Sequence, residues 1–248
     1  VESCTLSDLR AKCRLYADER VAGYLTDATS SIDLFINDAA REFRQQVLSR
    51  PGGRTFWELR ETFPLLSGTS EYKIDGTDST NGTDYQVDSL GELHLQWSTT
   101  SIERVDEVPP AEWERIKAIS WSQQGTKGYR LGAGYTGTTW SQMLCLAPTP
   151  TTTTTASIGY VPTYRNMTVA TDTIVGPSGM SKAISCLVGI QMKGMQNEQT
   201  GYLEKQLAQA MAMVDSEIQQ RKAAFHPRVV DVRPEQRHYD PRRYLPPA

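Results

Sequence analysis

Apolar residues recur at helical spacing at both ends of the chain and at alternating spacing in its middle. Leu6, Leu9, Cys13 and Tyr16 follow at steps of three, four and three, which puts them on one helical face. Thr5-Leu6-Ser7-Asp8 opens that helix as a capping box, with the acid reaching back to the cap amide. A second stripe, Ile32, Phe35, Ile36, Ala39, Phe43 and Val47, follows the start signal Ser30-Ser31-Ile32-Asp33, and Pro51-Gly52-Gly53 stops it. After Pro177 the period returns in Ile184, Leu187, Val188, Met192 and Met195, then in Leu203, Leu207, Met211, Val214 and Ile218. Gly201 marks the joint between these two helices. Gly189 and Gly194 cost the earlier one about 1 kcal/mol each relative to alanine and suit a close helix contact.

Between about Thr55 and Tyr164 the period shortens to two. Alternating runs at Glu71–Ile74, Leu93–Trp97, Ile102–Val108, Tyr129–Leu131, Met143–Ala147 and Ser157–Val161 read as strands. Turn-rich stretches separate them, notably Asp75–Asp84 and Gly132–Thr139, and Thr151–Thr155 reads as a low-complexity linker. Pro110–Lys117 reads as one or two helical turns, with the proline in the first turn. The order predicts an α+β fold: a four-helix bundle made by the N- and C-terminal helices, with an inserted, mostly antiparallel β module and an extended C-terminal arm. Packing all four helices on one face of the sheet is the other way to bury four stripes. The expected units are 1–54 and 177–222 for the two helix pairs, 55–176 for the β module and 223–248 for the arm.

Composition narrows the class. The 248 residues, 38% apolar and 22% charged, suffice for a core without disulfides or metals. No apolar run approaches the ~20 residues of a membrane-spanning helix, so neither a span nor a membrane partner is expected, and no secretory signal is expected before Thr5. Cys4, Cys13, Cys145 and Cys186 show no paired spacing and read as reduced thiols, three of them in apolar segments. The net charge of −3 hides an asymmetry. Residues 221–248 carry seven basic and three acidic side chains, +4, and the first 220 residues carry −7; five of the 13 prolines also fall in that tail.

Chemistry motifs are sparse, and no catalytic residue, cofactor or metal is expected. Gly132-Ala133-Gly134-Tyr135-Thr136-Gly137 spells a dinucleotide fingerprint. A strand follows it where the phosphate site would need a helix N-terminus, so it reads as a hairpin loop. His94, His226 and His238 lie too far apart to suggest a metal site, and Asp75, Asp78 and Asp84 miss the calcium-loop spacing. Glu112 and Glu114, beside Trp113 and Trp121, are the best carboxylates for glycan hydrolysis, yet residues two apart on a helix point to different sides. The tail has three readings: a solubilising end, a nonspecific nucleic-acid contact, or a docking arm. Its prolines favour extended backbone, and Arg228, Arg233, Arg237, Tyr239, Arg242, Arg243 and Tyr244 are residue types that suit protein interfaces.

The ordered set of segments resembles the head-to-tail adaptor (connector) proteins of tailed bacteriophages. Thr5-Leu6-Ser7-Asp8-Leu9-Arg10, then Ile32-Asp33-Leu34-Phe35-Ile36-Asn37-Asp38-Ala39 and Glu42-Phe43, is similar to that family's opening helix pair with its Ile-Asn-x-Ala signature. Phe63-Pro64-Leu65 to Tyr72-Lys73-Ile74 resembles its first hairpin. Ile102–Val105 with Trp113–Ile116 resembles its strand and short helix, and Leu144–Pro150 with Ser157–Val161 its later strands. The resemblance covers most of residues 5–220, with Asp75–Asp84 and Thr151–Thr155 as insertions. It implies a structural virion protein at the head–tail neck, assembled in the host cytoplasm as a twelve-subunit ring. Its partners would be the portal protein and the next tail or nozzle protein, with DNA passing through the lumen without specific binding. A virion-associated glycan-binding or peptidoglycan-hydrolysing module, using Trp113, Trp121 or Trp140, is the alternative, and a DNA-binding tail is the third.

Overall fold

The computed structural model describes residues 1–16, 30–78, 80–97, 101–122, 125–136, 139–195 and 197–225. Strand β1 (Glu2–Thr5) leads into helix α1 (Leu6–Tyr16), and α2 (Ser30–Leu48) is followed by a 3-10 turn at Gly53–Phe56. Strands β2 (Leu59–Leu65), β3 (Glu71–Lys73), β4 (Val87–Gln96) and β5 (Ile102–Glu107) come next, then α3 (Pro110–Lys117). After β6 (Gly128–Thr136), β7 (Thr139–Ala147), β8 (Thr154–Pro162) and β9 (Thr173–Gly176) the chain ends in α4 (Met180–Met195) and α5 (Gly201–Phe225).

Local chemistry accounts for the helix starts. Thr5 Oγ1 accepts from the Asp8 amide at 3.1 Å, and Asp8 returns the bond to the Thr5 amide at 3.2 Å, so the capping box forms as the spacing predicts. Pro110 occupies the first turn of α3, where its missing N–H costs nothing.

The expected four-helix bundle with an inserted β module is not what forms. The protein is a mixed α/β structure, with five α-helices among the described residues and a large curled seven-stranded sheet in the order β2-β8-β4-β5-β6-β7-β3. The sheet is antiparallel except for the β5–β6 pair. It carries its own core of Phe63, Leu65, Tyr72, Leu93, Leu95, Leu144, Ile158 and Tyr160. The helices bury a second core around Leu9, Ile36, Phe43, Ile184, Val188 and Val214. Within that layer α4 is the hub on which α1, α2 and α5 each pack. The physical reason lies in α4 itself, where Ser181, Ser185, Cys186 and Gly189 are buried as fully as the apolar stripe. A helix covered on all sides is a central post and not one corner of a bundle. A two-stranded β1–β9 ribbon also sits in this layer, paired from Glu2 with Gly176 to Thr5 with Thr173.

Two further expectations change. Thr154 and Thr155 already belong to β8, and the glycine-rich Gly132–Thr139 stretch is mainly strand, with β6 running to Thr136 and β7 starting at Thr139. Gly189 does meet a neighbour closely, since a Cβ there would lie 2.9 Å from Leu203 Cδ1; Gly194 meets nothing.

Candidate functional site

No principal packing between elements crosses from the helical core to the sheet core, so the joint between them depends on individual side chains. Asn37, on the inner face of α2, is buried and fully bonded. Its Nδ2 donates to Asp33 O at 2.8 Å and to Met167 O at 3.0 Å. Its Oδ1 accepts from the Met167 amide at 2.7 Å and from the Tyr164 hydroxyl at 3.0 Å. One amide thus copies a strand pairing with Met167 and locks the chain leaving β8 onto α2. Burial pushes the Tyr164 phenol up to about 12, so it stays protonated and able to donate.

Two turns on, Arg44 is buried with its guanidinium 5.5 Å from the Trp57 ring, and it donates to Pro162 O. Burial lowers its pKa, and its Nε has no partner among the described residues. Arg54 reaches the opposite strand and donates to Leu90 O at 3.0 Å and Ser89 O at 3.3 Å. These carbonyls sit where the β4–β8 register shifts. A Cβ at Gly91 would come within 2.7 Å of Arg54 Nη2, so the bulge and its glycine make room for the arginine.

α5 ends at the same joint. Arg50 pairs with Asp215, and the Arg221 guanidinium lies 4.1 Å from the Phe56 ring, with a bond to Thr55 O at 3.4 Å. The helix runs on to Phe225, one turn past Arg221. The arm residues Arg228, Arg233, Arg237, Tyr239, Arg242, Arg243 and Tyr244 lie outside the described residues.

The catalytic alternatives gather no support from geometry. Glu112 pairs with Arg115 at 3.5 Å and Glu114 with Lys117 at 3.4 Å, each on the solvent side of α3. Trp113 stacks on Arg130, Trp121 is buried in the sheet core, and Trp140 is 71% exposed on β7. These are three separate settings and not one sugar cleft. Gly132 and Gly134 lie inside β6, with no helix following. Asp75 and Asp78 accept from nearby amides of their own loop, and His94 meets Glu92 at 3.2 Å. Among the described residues no three His, Cys, Asp or Glu side chains gather as metal ligands. All four cysteines are free; burial pushes the Cys13 thiol up to about 12.

The solvent-facing side of the helical layer is apolar in places. A groove of about 610 Å³ runs between α2 and residues 166–170, with Leu34 and Val169 more than half exposed at its rim and the Arg10–Asp33 pair at one end. Leu15, Tyr202 and Met195 are more than two-thirds exposed at the far ends of α1, α5 and α4. Exposed apolar side chains of this size suit contact with other proteins. No described helix is long and apolar enough to cross a membrane.

Residues 5–233 match the family model of the SU10 adaptor protein, and the chain belongs to that family of phage head–tail adaptors. It is a structural component of a bacteriophage virion, and its family associates with portal and tail proteins. No curated protein matches the chain. The match reaches beyond the end of α5 to residue 233, further than the residues that carry the resemblance by eye. The Ile36-Asn37-Asp38-Ala39 signature gains a physical role: Asn37 is the clamp, and Ile36 and Ala39 are buried on either side of it. The buried Arg44 and Lys127 and the half-buried Arg54 carry no mark in the sequence, since nothing in it sets a cation apart for burial.

Proposed function

We propose that the chain assembles, in the host cytoplasm, into a twelve-membered ring beneath the portal. There it links the DNA-filled head to the next tail or nozzle protein and surrounds the DNA exit channel. The observation that carries this reading is the family match over nearly the whole chain, joined to the charge split between a −7 body and a +4 tail. A ring is a heterologous interface closed by rotation and needs two different complementary faces on each subunit. The helical layer and the sheet, each with its own core, supply two such faces. An acidic body repeated around a lumen repels DNA phosphates, so the genome slides without sticking. The basic, proline-rich segment beyond α5 is the arm that docks on the portal.

The test is a chain ending at Phe225. Cutting at Arg221 would also remove the Arg221 contacts with Phe56 and Thr55 and would confound docking with folding. Heads completed with the shortened protein should join tails at least tenfold less often, while the protein's thermal unfolding midpoint stays unchanged. Normal joining would remove the arm from the function. Electron microscopy of isolated necks reads the ring symmetry directly.

A further inference from the structure

The register of the sheet carries the β6–β7 hairpin past one of its ends. β5 runs antiparallel to β4, with Val105 opposite Leu93, and parallel to β6, with Asp106 opposite Gly128. β6 therefore starts near the level of Glu92 and runs beyond the end where β4 begins at Val87 and β8 closes at Pro162. That end is the one held to the helical layer, by Arg44 on Pro162 O and Arg54 on Leu90 O. The root of the hairpin is braced at this level. The Ile74 amide donates to Gln142 O at 2.9 Å, and Asp75 accepts from the Ser141 hydroxyl. From Ala133–Gln142 to Thr136–Thr139 the paired strands then continue for ~10 Å at ~3.4 Å per residue. β6 and β7 pack on each other and on β5, β3 and α3, and neither has principal packing on α1, α2, α4 or α5. The hairpin thus reaches the level of the helical layer without resting on its own.

Its chemistry suits contact with protein. From Leu131 to Tyr164 the chain holds no Asp, Glu, Lys, Arg or His, and Trp140, next to the braced Ser141, is 71% exposed. Tryptophan is enriched among the side chains that anchor interfaces, because its large ring gains most from being covered. The groove between α2 and residues 166–170 is a cavity of matching character. It holds about 610 Å³, Leu34 and Val169 form an apolar rim, and its two ionic lining residues, Arg10 and Asp33, pair with each other at 2.6 Å. An apolar ring entering it therefore strands no charge. The groove beside Leu15 and Tyr202 is less suited, since Lys193, Gln199 and Gln206 also line it. Trp140 and the α2 groove belong to different layers, so a copy that offers one and receives the other makes a head-to-tail contact. Where the layers stack along the ring axis, rotation to the next subunit keeps every height. The hairpin of one copy then stands level with its neighbour's helical layer.

We propose that Trp140 of each copy seats in the α2 groove of the next, so that the β6–β7 hairpin is the contact that closes the ring. The assignment rests on the ring reading and names its interface. A second copy is the occupant because every chain carries both halves of the contact, one on each layer, and a heterologous contact of this kind repeats until rotation closes it.

Cross-linking in isolated necks tests it. The full chain carrying A133C and V169C keeps the indole, and puts one thiol on the hairpin and one on the groove rim. Treated with a short bismaleimide, these necks should give a ladder of trimers and larger species on a denaturing gel, while each single variant runs as it does without the reagent. Monomers alone would overturn the contact. So would a ladder that stops at the dimer, since the pairing would then be reciprocal and could not propagate. Trp140→Ser in the otherwise unaltered chain should lower the number of joined particles at least tenfold with the thermal unfolding midpoint unchanged, and normal joining would also overturn it. Failure of the ring reading looks different: electron microscopy of the same necks would show no cyclic array, whereas a ring without the ladder removes only the hairpin contact.

Discussion

Replacing Asn37 by leucine is expected to remove roughly 3–5 kcal/mol of folding free energy. Leucine has the same branching as asparagine, with two methyl groups in place of the amide oxygen and nitrogen, so the change removes hydrogen bonds without opening a cavity. It strands the amide and carbonyl of Met167 and the hydroxyl of Tyr164, each of which bonds Asn37 in the native protein. A buried polar group left without a partner costs about 1–3 kcal/mol. Asn37→Asp should recover part of the loss, because a carboxylate still accepts from Met167 and Tyr164 but cannot donate to Asp33 O or Met167 O. Urea unfolding followed by circular dichroism reads both variants. A leucine variant within 1 kcal/mol of the parent would mean that Asn37 is not the clamp.

That clamp shows what the sequence could reveal and what it hid. Helix positions were legible wherever one apolar stripe met a cap, as in α1 with Thr5 and Asp8 or α3 with Pro110. Apolar stripes predict a bundle because they count only apolar residues. Ser181 and Ser185 of α4 are buried as well, with Ser185 Oγ satisfied by Ser181 O at 2.8 Å inside the helix. Small side chains that bond within their own helix carry no hydrophobic signal, so the extra buried faces went unseen. The second half of β6, from Gly132 on, reads as a turn for the opposite reason. Its glycines face side chains of β7, and a Cβ at Gly134 would lie 2.8 Å from Met143 Cγ. The glycines there make room for a neighbour and do not bend the chain. β1 and β9 are four residues each, too short for a period to show.

The candidate site divides in the same way. Ile36-Asn37-Asp38-Ala39 was legible as a resemblance, and its chemistry became clear only when Met167, 130 residues away, was placed beside it. The arm was legible as composition, since charge and proline content need no fold. Its anchoring was not, because Arg221 and Phe56 lie far apart along the chain. For an adaptor this division has a consequence. Side chains on carbonyls, and not one shared core, hold the helical layer to the sheet, so a change in one core need not loosen the other.

Within the sheet the weakest seam is the short parallel β5–β6 pair, with register positions only at Asp106–Gly128 and Glu107–Tyr129. Lys127 stands at its entrance. Its ammonium is within 3.0 Å of both Glu103 oxygens and 2.9 Å from Gly125 O, and lies 5.0 Å from the Trp97 ring and 5.7 Å from that of Trp121. Its side chain is 1% exposed. Trp97 Nε1 donates to the same carboxylate at 2.9 Å, so Glu103 holds both the lysine and one wall of its cage. Lys127→Ala is expected to cost about 3 kcal/mol, because breaking a buried pair leaves the other charge uncompensated. Lys127→Met keeps the stem between the rings and should lose less. Paired with Glu103→Gln, the alanine change should be markedly non-additive, with a coupling of about 1–3 kcal/mol. Tryptophan emission should shift to the red as Trp97 and Trp121 lose their cover. Amide exchange should rise in β6 and β7 before it rises in α4, since the β6–β7 hairpin joins the rest of the sheet through this seam. Additive energies and an unchanged emission spectrum would reduce Lys127 to an ordinary surface ion pair, and the seam would need another explanation.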